Sequence, residues 1–389
     1  MNNISCINEE CCGCNSCMEE CPKCAITMKQ DEEGFWFPQI DIDKCVNCGK
    51  CMRVCPVINF QKIKSQCHVS YLAYSKNKGI VKRSSSGGLF TVFASFILSK
   101  GGIVYGPAFN GNLDLVFTKI TTITDLNKLV GSKYVQANTM GIYDCVKSDL
   151  INGVVVLFSG TPCQIAGLKN YLKKDYNNLY TIDLLCHGVP SPGLFKKCVS
   201  YIEKKYKCKV QDYRFRDKKI LGWSSGSSSI IYKKKNRVRK LKYDNGLRAY
   251  FLAFINGLSL RNSCYSCRFS SFNRVGDLSL GDFWFADRIF DNKSFKKGVN
   301  LLIINTNKGS ELLDCVKKEV YIEEVSDENA LISNPHLNKP AIKPVNRDTH
   351  ISSLIKGDYQ SFIKYNIPRH SKLLPLYFKI KIFIRTIHS

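Results

Sequence analysis

The chain has 389 residues, of which 44% are hydrophobic, so it is long enough for two or three domains with apolar cores. Its formal net charge of +25 suits an anionic partner, but the scattered lysines carry no recognised nucleic-acid motif. The N-terminus lacks an apolar signal segment, and no run approaches about 18 apolar residues, so we expect no transmembrane helix. The 20 cysteines are therefore expected to be metal ligands and buried thiols of a cytoplasmic protein.

The N-terminal region carries the most specific pattern in the chain, C-x2-C-x2-C-x3-C-P, and carries it twice. This is the ligand spacing of a bacterial-type ferredoxin with two [4Fe–4S] clusters, in which the fourth cysteine of each run binds the other cluster. Zinc sites use isolated C-x2-C pairs with long spacers, so the pattern disfavours zinc. The predicted ligands are Cys11, Cys14, Cys17 and Cys55 for cluster I, and Cys45, Cys48, Cys51 and Cys21 for cluster II. Cys12 and Cys24 fall outside the register and are predicted to be spare.

An α/β pattern follows the ferredoxin-like region. The run VVVLF at 154–158 is typical of a buried strand, an amphipathic helix begins at Cys163, and another strand is predicted at 179–186. This order predicts an α+β ferredoxin module followed by a mixed α/β domain with a mostly parallel central sheet. The predicted domains are a ferredoxin-type domain at 1–60, an α/β domain with an N-terminal part at 66–148 and a C-terminal part at 149–335, and a basic tail at 336–389.

Four downstream cysteines suggest a third cluster. Cys163 and Cys186 follow two successive predicted strands, at the carboxyl edge where α/β proteins bind ligands. Cys264 and Cys267 form a C-x2-C pair, which alone is ambiguous among zinc, a redox pair and half of a cluster site. Together these residues make up four ligands. Cys163, predicted at a helix N-terminus, also remains open as a nucleophile or as a merely buried thiol.

A second candidate site is the Ser/Gly turn that precedes a predicted helix. Ser85, Ser86, Gly87 and Gly88 offer free backbone N–H groups at a positive helix end, which is the chemistry of an anion cradle. The alternative is a plain helix N-cap at Ser86. A third candidate contact for a cofactor is the pair Thr161 and Pro162, which follows a strand at the same carboxyl edge.

The C-terminal segment 373–389 alternates basic and apolar residues. A docked terminal helix is the favoured interpretation of this pattern. Contact with an anionic membrane surface is the alternative.

Taken together, the motifs resemble the coenzyme F420 hydrogenase/dehydrogenase beta-subunit family, in its form with a fused two-cluster ferredoxin. The resemblance covers about residues 1–335 and rests on SSSGGLFT, VGSKYVQAN, FSGTPCQIAGL, DLLCHGVPSP, RFRDK, LRNSCYSCRFS and RVGDLSLGDFW. It implies a flavoprotein, usually with FAD, and a [4Fe–4S] cluster close to the flavin. It also supports the grouping of the four downstream cysteines, and implies that the Ser/Gly turn and Lys133–Tyr134 lie around the flavin.

The resemblance further implies an oxidoreductase that couples hydride chemistry at the flavin to one-electron transfer through the clusters. The expected partners are an external ferredoxin or redox partner subunit and a deazaflavin or other small organic hydride carrier, and no nucleic acid. Ser86 stands where deazaflavin-using members often carry an acidic or amide residue, so the substrate stays open. The alternatives are a non-catalytic electron relay and a flavin-dependent reductase of another organic substrate, linked to surface-polysaccharide biosynthesis.

Overall fold

The computed structural model describes residues 2–60, 67–223, 227–235, 237–290 and 295–367. The strands are β1 Ile26–Gln30, β2 Trp36–Ile40, β3 Val69–Ser75, β4 Ile103–Phe109, β5 Leu115–Ile120, β6 Val156–Gly160, β7 Leu179–Leu184, β8 Lys209–Arg214, β9 Ser229–Lys234, β10 Arg237–Leu241, β11 Leu278–Asp282, β12 Asn300–Ile304 and β13 Val320–Val325. The helices are α1 Ser16–Glu19, α2 Lys50–Val54, α3 Lys78–Arg83, α4 Leu89–Ser99, α5 Ile142–Ile151, α6 Pro162–Leu172, α7 Pro192–Tyr206, α8 Lys218–Leu221, α9 Asn245–Ile255, α10 Ala286–Ile289, α11 Asn307–Val316, α12 Asp327–Ser333, α13 Arg347–Lys356 and α14 Tyr359–Asn366.

The N-terminal region consists of two cysteine-rich halves joined by a hairpin. Strands β1 and β2 pair antiparallel, with Ile26 opposite Ile40, as the sequence predicted. Helices α1 and α2 each begin after a residue in the left-handed conformation, Asn15 with φ 65° and Gly49 with φ 70°. The two cysteine runs therefore turn in the same way before their short helices, which matches the repeated spacing in the sequence.

One large sheet carries the rest of the chain. Among the described residues its eight strands follow the order β13-β3-β12-β11-β7-β6-β4-β5. The four central strands, β11, β7, β6 and β4, are parallel to their neighbours within that group. The outer pairings are antiparallel, so the parallel order predicted from the sequence holds for the centre of a mixed sheet. Strands β4 and β5 must be antiparallel because the short turn between them allows no crossover.

Both faces of the sheet are buried. Adjacent residues of β4 enter opposite apolar layers, Val104 on the side of α4 and α11, and Tyr105 on the side of α5 and α6. Leu157 and Phe158 of β6 alternate in the same way. A strand covered by helices on both faces needs apolar side chains at every position. This explains the continuous run at 154–158.

A small antiparallel sheet, β8-β9-β10, lies outside the large one and contains the basic hairpin. Part of the predicted tail is folded, because Leu354 of α13 and Tyr359 and Phe362 of α14 belong to the main apolar core. The segment 373–389, for which the docked helix and the membrane contact were predicted, lies outside the described residues. In the described part of the chain no helix has both the length and the apolar character to span a membrane.

Candidate metal centre

The cysteines predicted for cluster I lie together inside the N-terminal domain. Cys11, Cys14, Cys17 and Cys55 are buried. Burial, and then the neighbouring thiols Cys14 and Cys11, raise the pKa of Cys17 well above its usual value. Burial, followed by the nearby Cys14, raises the pKa of Cys55 to about 12. Such a group has the donor chemistry of a cluster site, because coordination removes the thiol protons that crowd together here.

The cysteines predicted for cluster II line an outer cavity. Cys21 of the first run joins Cys45, Cys48 and Cys51 of the second around an empty volume of about 360 Å³, which includes space open to solvent. Cys51 is buried, whereas Cys48 is exposed. The exchange of the fourth cysteine between the runs therefore agrees with the arrangement in space, and this group lies nearer to solvent than the first.

The four downstream cysteines also share a cavity. Cys163 lies at the start of α6, Cys186 follows β7, and a short 3-10 turn over Asn262–Cys264 leads into the C-x2-C pair that ends at Cys267. All four line an empty volume of about 900 Å³, which includes space open to solvent. Burial, and then the neighbouring Cys264, raise the pKa of the Cys186 thiol well above its usual value. The structure thus brings together the four residues that the sequence grouped.

The donor set fits iron–sulfur clusters in its chemistry. Thiolates are the usual ligands of such clusters, and a positive side chain, Arg261, lines the third cavity, where it suits the negative charge of four thiolates. Within the described ranges no group of three or more His, Cys, Asp or Glu side chains is arranged around a single metal ion. The cluster assignments therefore rest on the cysteine spacing and on which cysteines share a cavity.

Helix α6 connects the third cavity to the ferredoxin-like domain. A capping box at Thr161 and the proline at Pro162 fix the start of the helix, and Thr161 Oγ1 lies 3.2 Å from Cys163 Sγ. About one turn later Gly167 faces the N-terminal domain, where an added Cβ would lie 3.1 Å from Cys14 Sγ. This short helical segment therefore sets the spacing between an inner ferredoxin cysteine and the third group.

Cys12, predicted to be spare, lies between the two groups. It lines the third cavity, and its thiol interacts with those of Cys14 and Cys163. The hydrogen bond from Cys12, and after it the one from Thr161, contribute most to lowering the pKa of Cys163 to about 7. No spacing pattern in the sequence indicates this position, because the neighbours of Cys12 come from another domain.

A buried ion pair that the sequence did not predict orders the third cavity. Arg274 Nη2 lies 2.6 Å from Asp183 Oδ1, and both side chains are buried. Arg274 also donates to the carbonyl oxygen of Phe269 at 3.0 Å. Since Asp183 precedes Cys186 by three residues and Phe269 follows Cys267 by two, the pair fixes these two cysteines relative to each other. Both charged residues lie in motifs that carried the family resemblance, DLLC and RVGD.

The Ser/Gly turn precedes α4, as predicted, but the N-cap is Gly88, with φ 91°, and not Ser86. The hydroxyl of Ser86 donates to the carbonyl oxygen of Val299 at 2.8 Å, and that of Ser85 accepts from the backbone N–H of Ser132 at 2.7 Å. A Cβ added at Gly87 would lie 2.8 Å from a backbone oxygen of β3. These groups are engaged in packing within the protein, and their contact with a cofactor stays a prediction.

The Lys133–Tyr134 segment lies beside the Ser/Gly turn, because Ser132 precedes it. Burial lowers the pKa of Lys133 to about 8, and its ammonium donates to the carbonyl oxygens of residues 129–131. Lys218 donates to the carbonyl oxygen of Ser86 at 2.8 Å, and burial lowers its pKa to about 8 as well. Two buried ammonium groups beside one loop fit an anionic group such as a diphosphate.

Aromatic rings separate this region from the third cavity. The ring of Tyr134 stacks on Phe254 with 4.3 Å between centroids. Phe254 in turn meets the edge of His187 at 5.2 Å, and His187 lines the cavity. The segment predicted to contact a flavin and the cysteine cavity are therefore linked by a short stack of rings.

Comparisons with known proteins identify the family. Residues 154–329 match the family model for the C-terminal region of the coenzyme F420 hydrogenase/dehydrogenase beta subunit, and residues 10–59 match the model of the 4Fe-4S dicluster domain. A search of curated proteins found no match. A chain from a structure of the F420-reducing [NiFe] hydrogenase complex of Methanosarcina barkeri is similar at 17% identity with a TM-score of 0.43, over 76% of this chain and 94% of that one. The chain belongs to the coenzyme F420 hydrogenase/dehydrogenase beta-subunit family, with a 4Fe–4S dicluster domain at its N-terminal side.

Proposed function

We propose that this chain is an iron–sulfur flavoprotein oxidoreductase in which a third [4Fe–4S] cluster joins the dicluster domain to a flavin. The observation that carries the proposal is that four cysteines from three separate segments line one cavity at the border with the dicluster domain. The ligands of this third cluster are Cys163, Cys186, Cys264 and Cys267. A structural thiol group would have no need of such convergence beside another cluster domain.

The exposure of the cysteines supports an order of electron transfer. The outer group, with the exposed Cys48, is the one accessible to an external ferredoxin or to a redox partner. The inner group is buried and lies against α6 through the contact between Cys14 and Gly167. Cys163 lies at the other end of that contact. Electrons therefore pass between the partner and the third cluster through cluster II and then cluster I.

The flavin part of the proposal is supported by the family and by the assembly of the predicted segments. A bound FAD would supply the two-electron hydride chemistry that clusters cannot perform. Lys133 and Lys218 would bind its diphosphate, and Ser85 and Ser132, which bond to each other, would hold the surrounding loops in place. Tyr134 would orient the ring system on the side that faces the third cavity. The hydride partner is a deazaflavin or another small organic carrier.

A non-catalytic relay is the second candidate. The observation that favours it is that the hydroxyls of Ser85 and Ser86 are already engaged within the protein. Such a protein would contain the three clusters and no flavin. For either function we place the protein in the cytoplasm, because each of its 20 cysteines is a free thiol and a reducing compartment preserves them.

Anaerobic purification separates these functions. The proposal predicts about twelve irons per chain, four for each cluster, together with a flavin spectrum. Substituting Cys264→Ala should lower the iron content to about eight, whereas the matched control Cys145→Ala, an exposed thiol on α5, should leave it unchanged. Full iron without flavin would leave the relay. A wild-type content of about eight irons would exclude the third cluster.

A further inference from the structure

Arg261 lies in the contact between the dicluster domain and the α/β domain. Its side chain is only 1% exposed, and it precedes the third-cluster cysteine Cys264 by three residues. The same side chain lines the third cavity. A buried guanidinium must satisfy its donors inside the protein, so its partners show what the residue holds in place.

The partners of Arg261 belong mainly to the dicluster domain. Its Nε donates to the carbonyl oxygen of Cys11, a cluster I ligand, and its Nη2 donates to the carbonyl oxygen of Trp36 at 2.9 Å. Its Nη1 donates to Gln136 Oε1 at 3.2 Å, and Gln136 Nε2 donates to the carbonyl oxygen of Cys12 at 3.0 Å. One planar fork therefore spans the first cysteine loop and the hairpin, and braces a second side chain against that loop.

The packing around this fork is tight. The guanidinium carbon lies 4.0 Å from the ring centroid of Phe37 and 5.3 Å from that of Phe35, within the range of cation–π contacts. Gly13, with φ 68°, allows the approach, because a Cβ there would lie 2.4 Å from Gln136 Nε2 and 3.3 Å from Arg261 Nη1. The position of the guanidinium is thus fixed from several sides.

We propose that Arg261 is a positioning residue for electron transfer between cluster I and the third cluster. Its fork fixes the distance between the two clusters. Its charge, which faces both cysteine groups, favours their reduced states, because each reduction adds one electron and one negative charge. In the step itself one electron leaves one reduced cluster and enters the other, oxidised one, and no bond is made. The inference rests on the proposed function, since it requires the third cluster.

Two substitutions separate the charge from the fork. In Arg261→Met the charge is lost, and we expect the midpoint potentials of cluster I and the third cluster to fall. The expected size is about a tenfold change in the reduced-to-oxidised ratio at a fixed potential, which corresponds to about 59 mV for one electron. In Arg261→Lys the charge stays, so the potentials should change little. The spin–spin broadening between the two reduced clusters should weaken in both variants, because the fork is gone.

The measurements are a redox titration followed by electron paramagnetic resonance and an iron count on the anaerobic holoprotein. Cluster II, farther from Arg261, serves as an internal reference. Arg268→Met is the matched control, because Arg268 lines the same cavity but is exposed and makes no contact with Cys11. If Arg261→Met retains full iron, unchanged potentials and unchanged broadening, the inference is wrong. A variant that loses iron is replaced by Gln136→Leu, which removes the brace and should weaken the broadening alone; unchanged broadening there overturns the inference. Only a missing third cluster in the wild type would instead overturn the proposed function.

Discussion

Arg347 and Glu33 form a two-pronged ion pair between helix α13 and the turn of the N-terminal hairpin. Nη1 of Arg347 lies 2.7 Å from Oε1 of Glu33, and Nη2 lies 2.5 Å from Oε2. The arginine side chain is 1% exposed and also donates to the carbonyl oxygen of Leu260 at 2.9 Å. Next to it, Gly34 of the turn packs directly on Gly193 of α7. The C-terminal region therefore helps to hold the dicluster domain in place.

This ion pair predicts the effect of Arg347→Met. The substitution leaves Glu33 partly buried without its partner, so we expect a loss of about 3 kcal/mol in the free energy of unfolding. Urea denaturation under anaerobic conditions, followed by cluster absorbance, measures it. The control is Lys343→Met, because Lys343 pairs with Asp348 at the surface and should change stability by less than about 0.5 kcal/mol. Equal effects of the two substitutions would show that the pair does not secure the hairpin.

The contact between Gly167 and Cys14 predicts a second effect. In Gly167→Val the new side chain meets Ser16 Oγ, since even its Cβ would lie 2.6 Å away. Overpacking of this kind costs about 1–3 kcal/mol, and we expect the cluster I signal to weaken first. The control is Gly111→Val, at a site with no atom within 4 Å of an added Cβ. Retention of full cluster I occupancy in the Gly167 variant would refute the close contact.

Cys12 provides a test of the ligand assignment. It shares the third cavity with the four proposed ligands but stands outside the ferredoxin spacing. We expect Cys12→Ser to retain about twelve irons per chain, whereas Cys163→Ser should fall to about eight. Iron analysis and the reduced-state resonance spectrum measure both. The assignment is wrong if the Cys12 variant loses iron and the Cys163 variant keeps it.

The buried lysines provide a test of the flavin region. Lys133→Met removes a cation beside the Ser/Gly turn, so we expect at least about a tenfold loss of flavin affinity with the iron content unchanged, which is about 1.4 kcal/mol. Lys308→Met is the matched control, because Lys308 also donates to carbonyl oxygens, those of Tyr176 and Leu179, at another place. Released flavin is measured by fluorescence after denaturation. The same flavin content in both variants would argue against binding at this turn.

Much of the architecture could be predicted from local patterns. The cysteine runs, the continuous apolar strand at 154–158 and the helix that begins near Cys163 are all encoded by spacing over a few residues. The hairpin β1–β2 and the parallel central strands follow from the order of such segments. The antiparallel outer strands did not, because β3 pairs with β12 and β13 from the far end of the chain.

By itself the sequence determined which cysteines can act as ligands, because ligand spacing on a loop is a local property. Only the tertiary structure decided which groups surround them. Arg261 reaches Cys11 across 250 positions of sequence, and Arg347 reaches Glu33 across 314. The tertiary structure also placed Cys12 between two cysteine groups. Such contacts depend on how whole domains pack against each other, and no periodicity or spacing within one segment records that packing.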